Sequence, residues 1–402
     1  MKKTRALPLI LFTLMVLLFI GLSSVLPTIA DEEQSSNSVK LDTLESKTVH
    51  SQTKLISVTA PLLTPTEVPA EPKAAVARQS ISVPKHVMGV YSTSWTAGIS
   101  RIDSIIKFIK ENGLNTLVID VKDDTGIISY PSTVSLATQI GAGSKRIRDI
   151  KGLIDRVKQA GIYPIARIVV FKDPLLAKSH PEMAVKDKNG GLWRDRKGMI
   201  WVDPNNREVW KYNLDIAKEA VAMGFSEIQY DYVRFLSDGK ISNCIYPFSK
   251  GQSKEDVIRD FLLYSKKELN AINTPLSADI FGLVLSVPDD LNLGQKLEKI
   301  AGSVDYISPM VYPSHYPTGS FEFKDPDSHP YEVILKAFQI GNKRIQGSQA
   351  KFRPWLQDFD LKSHYGKEQL KAQIKALKDN GIHDWIFWNP SNRYDPSKYN
   401  FN

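Results

Sequence analysis

From residue 86 onward the chain alternates two kinds of hydrophobic pattern. Short runs rich in β-branched and aromatic residues read as strands at 87–92 (VMGVYS), 115–122 (NTLVIDVK), 162–170 (IYPIARIVV), 226–234 (SEIQYDYVR), 275–281 (PLSADIF), 304–312 (VDYISPMVY), 351–357 (KFRPWLQ) and 384–388 (DWIFW). Between them apolar residues recur at helical spacing. Ile99, Ile102, Ile105, Ile106 and Ile109 share one face, and Ser253 with Asp256 makes a capping box ahead of Val257, Ile258, Phe261 and Leu262. Gly113, Gly161, Gly224 and Gly381 each follow such a run and stop it just before the next strand. Eight strand-helix pairs predict an α/β protein, a (β/α)8 TIM barrel over residues 86–402, because parallel strands joined by helices must cross over with one hand. The rival, an open doubly wound sheet, would carry a glycine-rich phosphate turn after its first strand, and "VYSTSWTAG" is not one.

The pattern before residue 86 differs. Lys2, Lys3 and Arg5 precede an almost wholly apolar stretch from Leu9 to Leu22, a little shorter than the ~20 residues of a bilayer crossing. Residues 1–30 therefore read as a signal peptide cleaved after Ala30, or as a retained anchor, which would be the chain's one membrane contact. Either implies export to the envelope or beyond. Residues 31–85 lack aromatics and any apolar period and are rich in Ser, Thr, Pro, Lys and Glu, the composition of a disordered linker. No cysteine near the apolar stretch offers a lipid attachment.

Composition excludes more than it assigns. The 402 residues, 42% hydrophobic and 24% charged, suit a folded protein. The net charge of +8 is spread without basic blocks, so nucleic acid is not an expected partner. The one cysteine, Cys244, excludes an internal disulfide and any multi-thiolate zinc site. The histidines show neither HxH nor HExxH spacing and no GxSxG elbow occurs, so neither a metal, a cofactor nor serine acyl transfer is expected.

In a barrel of this kind the chemistry lies at the carboxyl ends of the strands, which makes those ends the place to search. There the sequence puts Asp120 and Lys122, Arg167, Asp231 and Arg234, Asp279, Tyr312 and His315, Asp358, and Trp388 with Asn389. Asp231 stands out, because strand interiors are depleted in Asp unless something holds it there. Its alternatives are catalysis or an ion pair with Arg234 or Arg167. Asp279 lies on the next strand, and strands ~4.8 Å apart bring two carboxylates near the separation a retaining glycosidase uses; Asp120 and Asp358 are reserves for the second carboxylate. On strand seven either Trp355 and Gln357 or Pro354, Leu356 and Asp358 face inward. Trp95, Trp193, Trp201 and Trp388 fall at or beyond strand ends, where indole faces stack on sugars or simply pack their loops; Trp193 and Trp201 belong to an unusually long connection, 171–205. Arg167, Lys122 and Arg234 either grip an anionic substrate or neutralise inward carboxylates.

The run of motifs "GVYSTSW", "LVIDVKDDTG", "PIARIVVFKDP", "WVDP", "EIQYDYVRF", "SADIFG", "ISPMVYPSHY", "RPWLQDF" and "WNPSN" resembles the "putative glycosyl hydrolase domain" family of bacterial secreted and envelope proteins, in order and over nearly all of 86–402. The resemblance implies a (β/α)8 barrel related to glycoside hydrolases. In the wider alpha-amylase-like barrels a nucleophilic Asp ends strand four and an acid/base Glu ends strand five. Asp231 matches the first, Asp279 replaces the second, and Gln229 stands where an arginine usually precedes the nucleophile by two residues. The expected protein is an exported glycoside hydrolase of an envelope or extracellular polysaccharide or oligosaccharide, with Asp231 and Asp279 catalytic. A carbohydrate-binding barrel without catalysis and an envelope scaffold are the alternatives.

Overall fold

The computed structural model describes residues 81–401, so the expected signal segment and nearly all of the expected linker lie outside the described residues. Eight parallel strands close into a barrel: β1 (Met88–Ser92), β2 (Thr116–Lys122), β3 (Tyr163–Val169), β4 (Glu227–Asp231), β5 (Leu276–Phe281), β6 (Tyr306–Met310), β7 in two pieces (Lys351–Phe352 and Trp355–Gln357) and β8 (Trp385–Trp388). The ring closes where Gly89 of β1 pairs with Ile386 of β8. Helices α1 (Arg101–Glu111), α2 (Ile150–Gln159), α3 (Arg207–Met223), α4 (Lys254–Asn270), α5 (Leu297–Ala301), α6 (Pro330–Arg344), α7 (Lys367–Lys378) and α8 (Pro396–Tyr399) follow the strands in turn. Among the described residues no helix is long and apolar enough to cross a membrane.

Alternation along each strand sorts the core into two parts. Leu117 and Ile119 of β2 join the large apolar layer between strands and helices, whereas Val118 faces inward with Tyr91, Ile165, Trp355 and Ile386. Ile81 and Val83 pack partly buried against this inner cluster. Capping agrees with the sequence: the Ser253 hydroxyl accepts from the Asp256 N–H at 3.2 Å to open α4, and Gly224 closes α3 with φ 113°, a backbone that disfavours any side chain.

Two strands are shorter or more broken than their patterns predict. β4 stops at Asp231 because Tyr232 turns into the left-handed region at φ 51°. β7 is interrupted at Arg353 and Pro354, where proline has no N–H to give the ladder and Arg353 turns its side chain into the barrel. The long connection after β3 is tied to the loop after β4 by a two-stranded antiparallel ribbon, Lys186–Asp187 with Cys244–Ile245.

Candidate active site

A cavity of about 220 Å³ opens at the carboxyl ends of the strands. Its floor is built by register. Val169 of β3 pairs with Asp231, Asp120 of β2 with Arg167, and Tyr230 of β4 with Ala278 of β5, so one step further along that pair sets Asp231 beside Asp279. All four polar side chains line the cavity, with Tyr91, Trp355 and Trp388.

Arg167 ties three strands together. Its Nη1 donates to Asp120 Oδ1 at 2.6 Å, and its Nε to Asp231 Oδ2 at 3.0 Å, with Nη2 on the same oxygen. Asp231 Oδ1 accepts the N–H of Tyr232 at 2.6 Å, so the left-handed turn at that residue also fixes the carboxylate. Burial opposes the Arg167 charge, but Asp231 and Asp120 outweigh it and hold its pKa well above the ordinary value. Arg167 pairs in register with Gln229. Arg167 thus stands on the adjacent strand beside the position two residues before Asp231.

Asp279 is held differently. Both of its donors, Trp355 Nε1 and Gln229 Nε2 at 2.7 Å each, reach Oδ1. Its buried Oδ2 has no partner among the described residues. Burial, reinforced by the negative charge of Asp231, pushes its pKa well above the carboxylate range despite Arg167 and the two donors. Burial thus favours the protonated form of Asp279, and Oδ2 is the oxygen open to bear the proton. Asp120 is raised by burial to about 6, against the pull of Arg167 and Tyr91. Both its oxygens are engaged, by Arg167 and by the Tyr91 hydroxyl. Tyr91 in turn stacks on Trp388 at 4.0 Å between centroids.

Of the residues the sequence singled out, Asp231, Asp279, Asp120, Arg167, Arg234, Tyr312, His315, Trp95, Trp201 and Trp388 all line this cavity. His315 sits edge-on to Tyr312 and Phe359, and burial lowers its pKa to about 4, leaving a neutral ring. The ion pair that the sequence left open for Asp231 is with Arg167, not Arg234.

Four expected site residues lie elsewhere. Lys122 would share the inward face of Asp120, but a bulge after Asp120 shifts the register and turns Lys122 out to Asp173 (2.7 Å) and the face of Tyr212. Asp358 faces away from the cavity, because Trp355 is the inward residue of β7; its carboxylate accepts from Tyr399 and Lys398 to fasten α8. Asn389 spends its amide on the carbonyls of Asp358 and Arg393. Trp193 is buried in the long connection with its Nε1 on the Lys240 carbonyl.

The cavity also holds residues that the pattern did not single out. Tyr91 was readable as an inward position of β1. Trp355 was open to either parity and its packing masked its bond to Asp279. Tyr232, Asp195 and Asp238 depend on loop paths with no period to read. Among the described residues no group of three or more His, Cys, Asp or Glu side chains is placed to share a metal ion.

A family model described as "Putative glycosyl hydrolase domain" matches residues 89–394. No curated protein matches the chain. Among solved structures, a hypothetical protein from Ruminiclostridium thermocellum ATCC 27405 is 36% identical over 48% of this chain and 97% of that one, with a TM-score of 0.45. The PgaB (BpsB) glycoside hydrolase domain from Bordetella bronchiseptica is 14% identical over 76% of this chain and 94% of that one, with a TM-score of 0.55. Alpha-L-fucosidase isoenzyme 2 from Paenibacillus thiaminolyticus is 15% identical over 79% and 47%, with a TM-score of 0.50. The last two share the barrel fold.

Proposed function

The chain belongs to the "Putative glycosyl hydrolase domain" family and is a glycoside hydrolase, and from that premise we propose that it cleaves an envelope or extracellular polysaccharide with Asp231 as nucleophile and Asp279 as proton donor. The observation that carries the reading is the contrast between two neighbouring carboxyl groups. Asp231 accepts bonds from Arg167 and from the backbone, whereas Asp279 has its pKa raised and keeps Oδ2 free. A glycosidase needs this division, one carboxyl ionised and one protonated.

In the mechanism we propose, a glycosidic oxygen bound at Asp279 Oδ2 takes the proton as the bond to the anomeric carbon breaks. Asp231 attacks that carbon and stabilises its positive charge, and Arg167 keeps the carboxylate aimed. Adjacent strands are ~4.8 Å apart, a spacing that supports a retaining mechanism over an inverting one. Once Asp231 is esterified its charge is gone. The repulsion that raised the Asp279 pKa then falls away, which suits Asp279 to withdraw a proton from the hydrolytic water. The apolar N-terminal stretch and its basic lead support export, and with it an envelope substrate.

The test is a screen of the purified chain on wall polysaccharides and exopolysaccharides, scored by new reducing ends, with Asp231→Asn as control. Release by the wild type and not by the variant supports the reading. Glycan binding without release would make the protein a binding barrel, and no binding of any glycan would make it a scaffold.

A further inference from the structure

Three cations in the sequence were open to two roles, gripping an anionic substrate or neutralising inward carboxylates. The fold gives Arg167 to Asp120 and Asp231, and Lys122 to Asp173. Arg234 receives neither. It lines the cavity at 6% exposure and makes no ion pair among the described residues. Its Nη1 donates to the Phe235 carbonyl at 3.0 Å and the Ser237 hydroxyl at 2.9 Å. Among the described residues Nε and Nη2 have no such partner. The guanidinium is held in place by aromatic rings, with Phe281 at 4.8 Å, Trp201 at 5.0 Å and Tyr232 at 5.2 Å from its centre.

A cation buried to this degree is costly unless a partner closes on it. Asp231, Asp195 and Asp238 lie near enough to support its charge, yet burial wins and lowers its pKa. Of these, Asp231 is engaged by Arg167, and Asp195 accepts the Trp201 indole N–H at 3.1 Å. The position also follows from the chain path. Had β4 continued, Arg234 would face the helices; the left-handed turn at Tyr232 instead swings it over the mouth, three residues from Asp231.

We infer that Arg234 is the subsite for a carboxylate on the sugar bound at Asp231 and Asp279, so that the substrate class is an acidic glycan. The inference rests on the glycosidase reading of this cavity. A planar guanidinium with two free N–H edges matches a carboxylate fork, and no such match is made by a hydroxyl. Two sugar chemistries supply the group, a C6 carboxylate as in a uronic acid and a lactyl ether carboxylate as in a muramic acid.

The test is calorimetric titration of the full chain with D-glucuronate and N-acetylmuramate, each against its neutral parent, D-glucose and N-acetylglucosamine. The wild type is expected to bind one of the two acids roughly tenfold more tightly than its parent, and which acid it prefers identifies the source. In Arg234→Gln that ratio should fall toward one, and Arg234→Lys should restore part of it, with thermal unfolding confirming that both variants fold. Neutral sugars bound as tightly as acidic ones, or an acid preference that survives Arg234→Gln, overturns the inference and leaves the hydrolase reading standing. No binding by any of the four sugars, together with no reducing ends in the polysaccharide screen, overturns both.

Discussion

Glu227 and Asp231 lie on the same strand and the same inward face, four residues apart, and each meets a buried arginine. At the lower end of the barrel Glu227 accepts from Arg353 at 2.6 Å, Ser277 at 2.8 Å and Tyr163 at 3.2 Å, and Arg353 lies over the Tyr306 ring at 3.7 Å. Both charged side chains are sealed from solvent. At the upper end Asp231 has the same kind of partner in Arg167, but it faces a cavity and stands beside a carboxyl group that is not paired. A buried ion pair is therefore no sign of chemistry by itself. What separates the two networks is access, and the presence at the mouth of a second carboxyl group, Asp279, with an oxygen that no described residue engages.

The comparison can be broken most sharply at its carboxylates. Asp231→Asn should lower turnover by roughly 10³-fold or more while glycan still binds, and should shift the melting temperature little, because Arg167 keeps Asp120. Glu227→Gln should do the reverse. It leaves Arg353 buried and unpaired, at a cost of about 3 to 5 kcal/mol, with turnover per folded molecule retained. Activity and thermal unfolding on one preparation of each variant check both, and exchanged outcomes would mean that the lower network is the functional one.

That distinction was partly legible in the sequence. The strand-end rule passed over Glu227 and chose Asp231, because one starts β4 and the other ends it. Helix stops, caps and the eight strands follow from local pattern and agree with the structure. The period of two failed at Lys122, where a single bulge reverses the facing, and it could not decide β7, where Pro354 breaks the strand and Asp358 turns away. The partner of Asp231 was left open between Arg234 and Arg167, and the cross-strand register that decides for Arg167 has no signature in the sequence. Trp193 and Trp201 share one loop and one residue type, yet only Trp201 reaches the cavity; that depends on the path of the loop.

The next effect sharpens the contrast within the mouth. Asp279→Asn should spare activity on an activated aryl glycoside better than Asp231→Asn does, because a good leaving group needs less protonation. Stability adds a second reading. The Asp279 pKa is raised in the folded protein, so its contribution to stability is complete below the ordinary carboxylate range and is lost as pH rises through the raised value. Asn does not titrate. The melting temperature of Asp279→Asn minus that of the wild type should therefore increase as pH rises from weakly acidic to alkaline, and a difference that stays constant or decreases would place the charge elsewhere.

Smaller effects belong to the aromatic rim. Trp388 is backed by Tyr91, so Trp388→Ala should weaken glycan binding by about 1 to 3 kcal/mol, taking stacking on nucleobases as the scale. Trp95 is 58% exposed with Arg146 over one face at 4.3 Å. Trp95→Ala should lower affinity less than Trp388→Ala and leave the melting temperature unchanged. Calorimetry and thermal unfolding check both, and the opposite ranking would move the sugar outward to the rim.

The protonation state of Asp279 is the point on which the account turns, and it can be read without a substrate. In protein labelled with carbon-13 at the aspartate carboxyls, the resonance that Asp279→Asn removes is expected to keep the shift of a protonated carboxyl to a higher pH than an ordinary aspartate does. An Asp279 resonance that titrates at or below the ordinary aspartate value would contradict the division of roles between the two carboxyl groups.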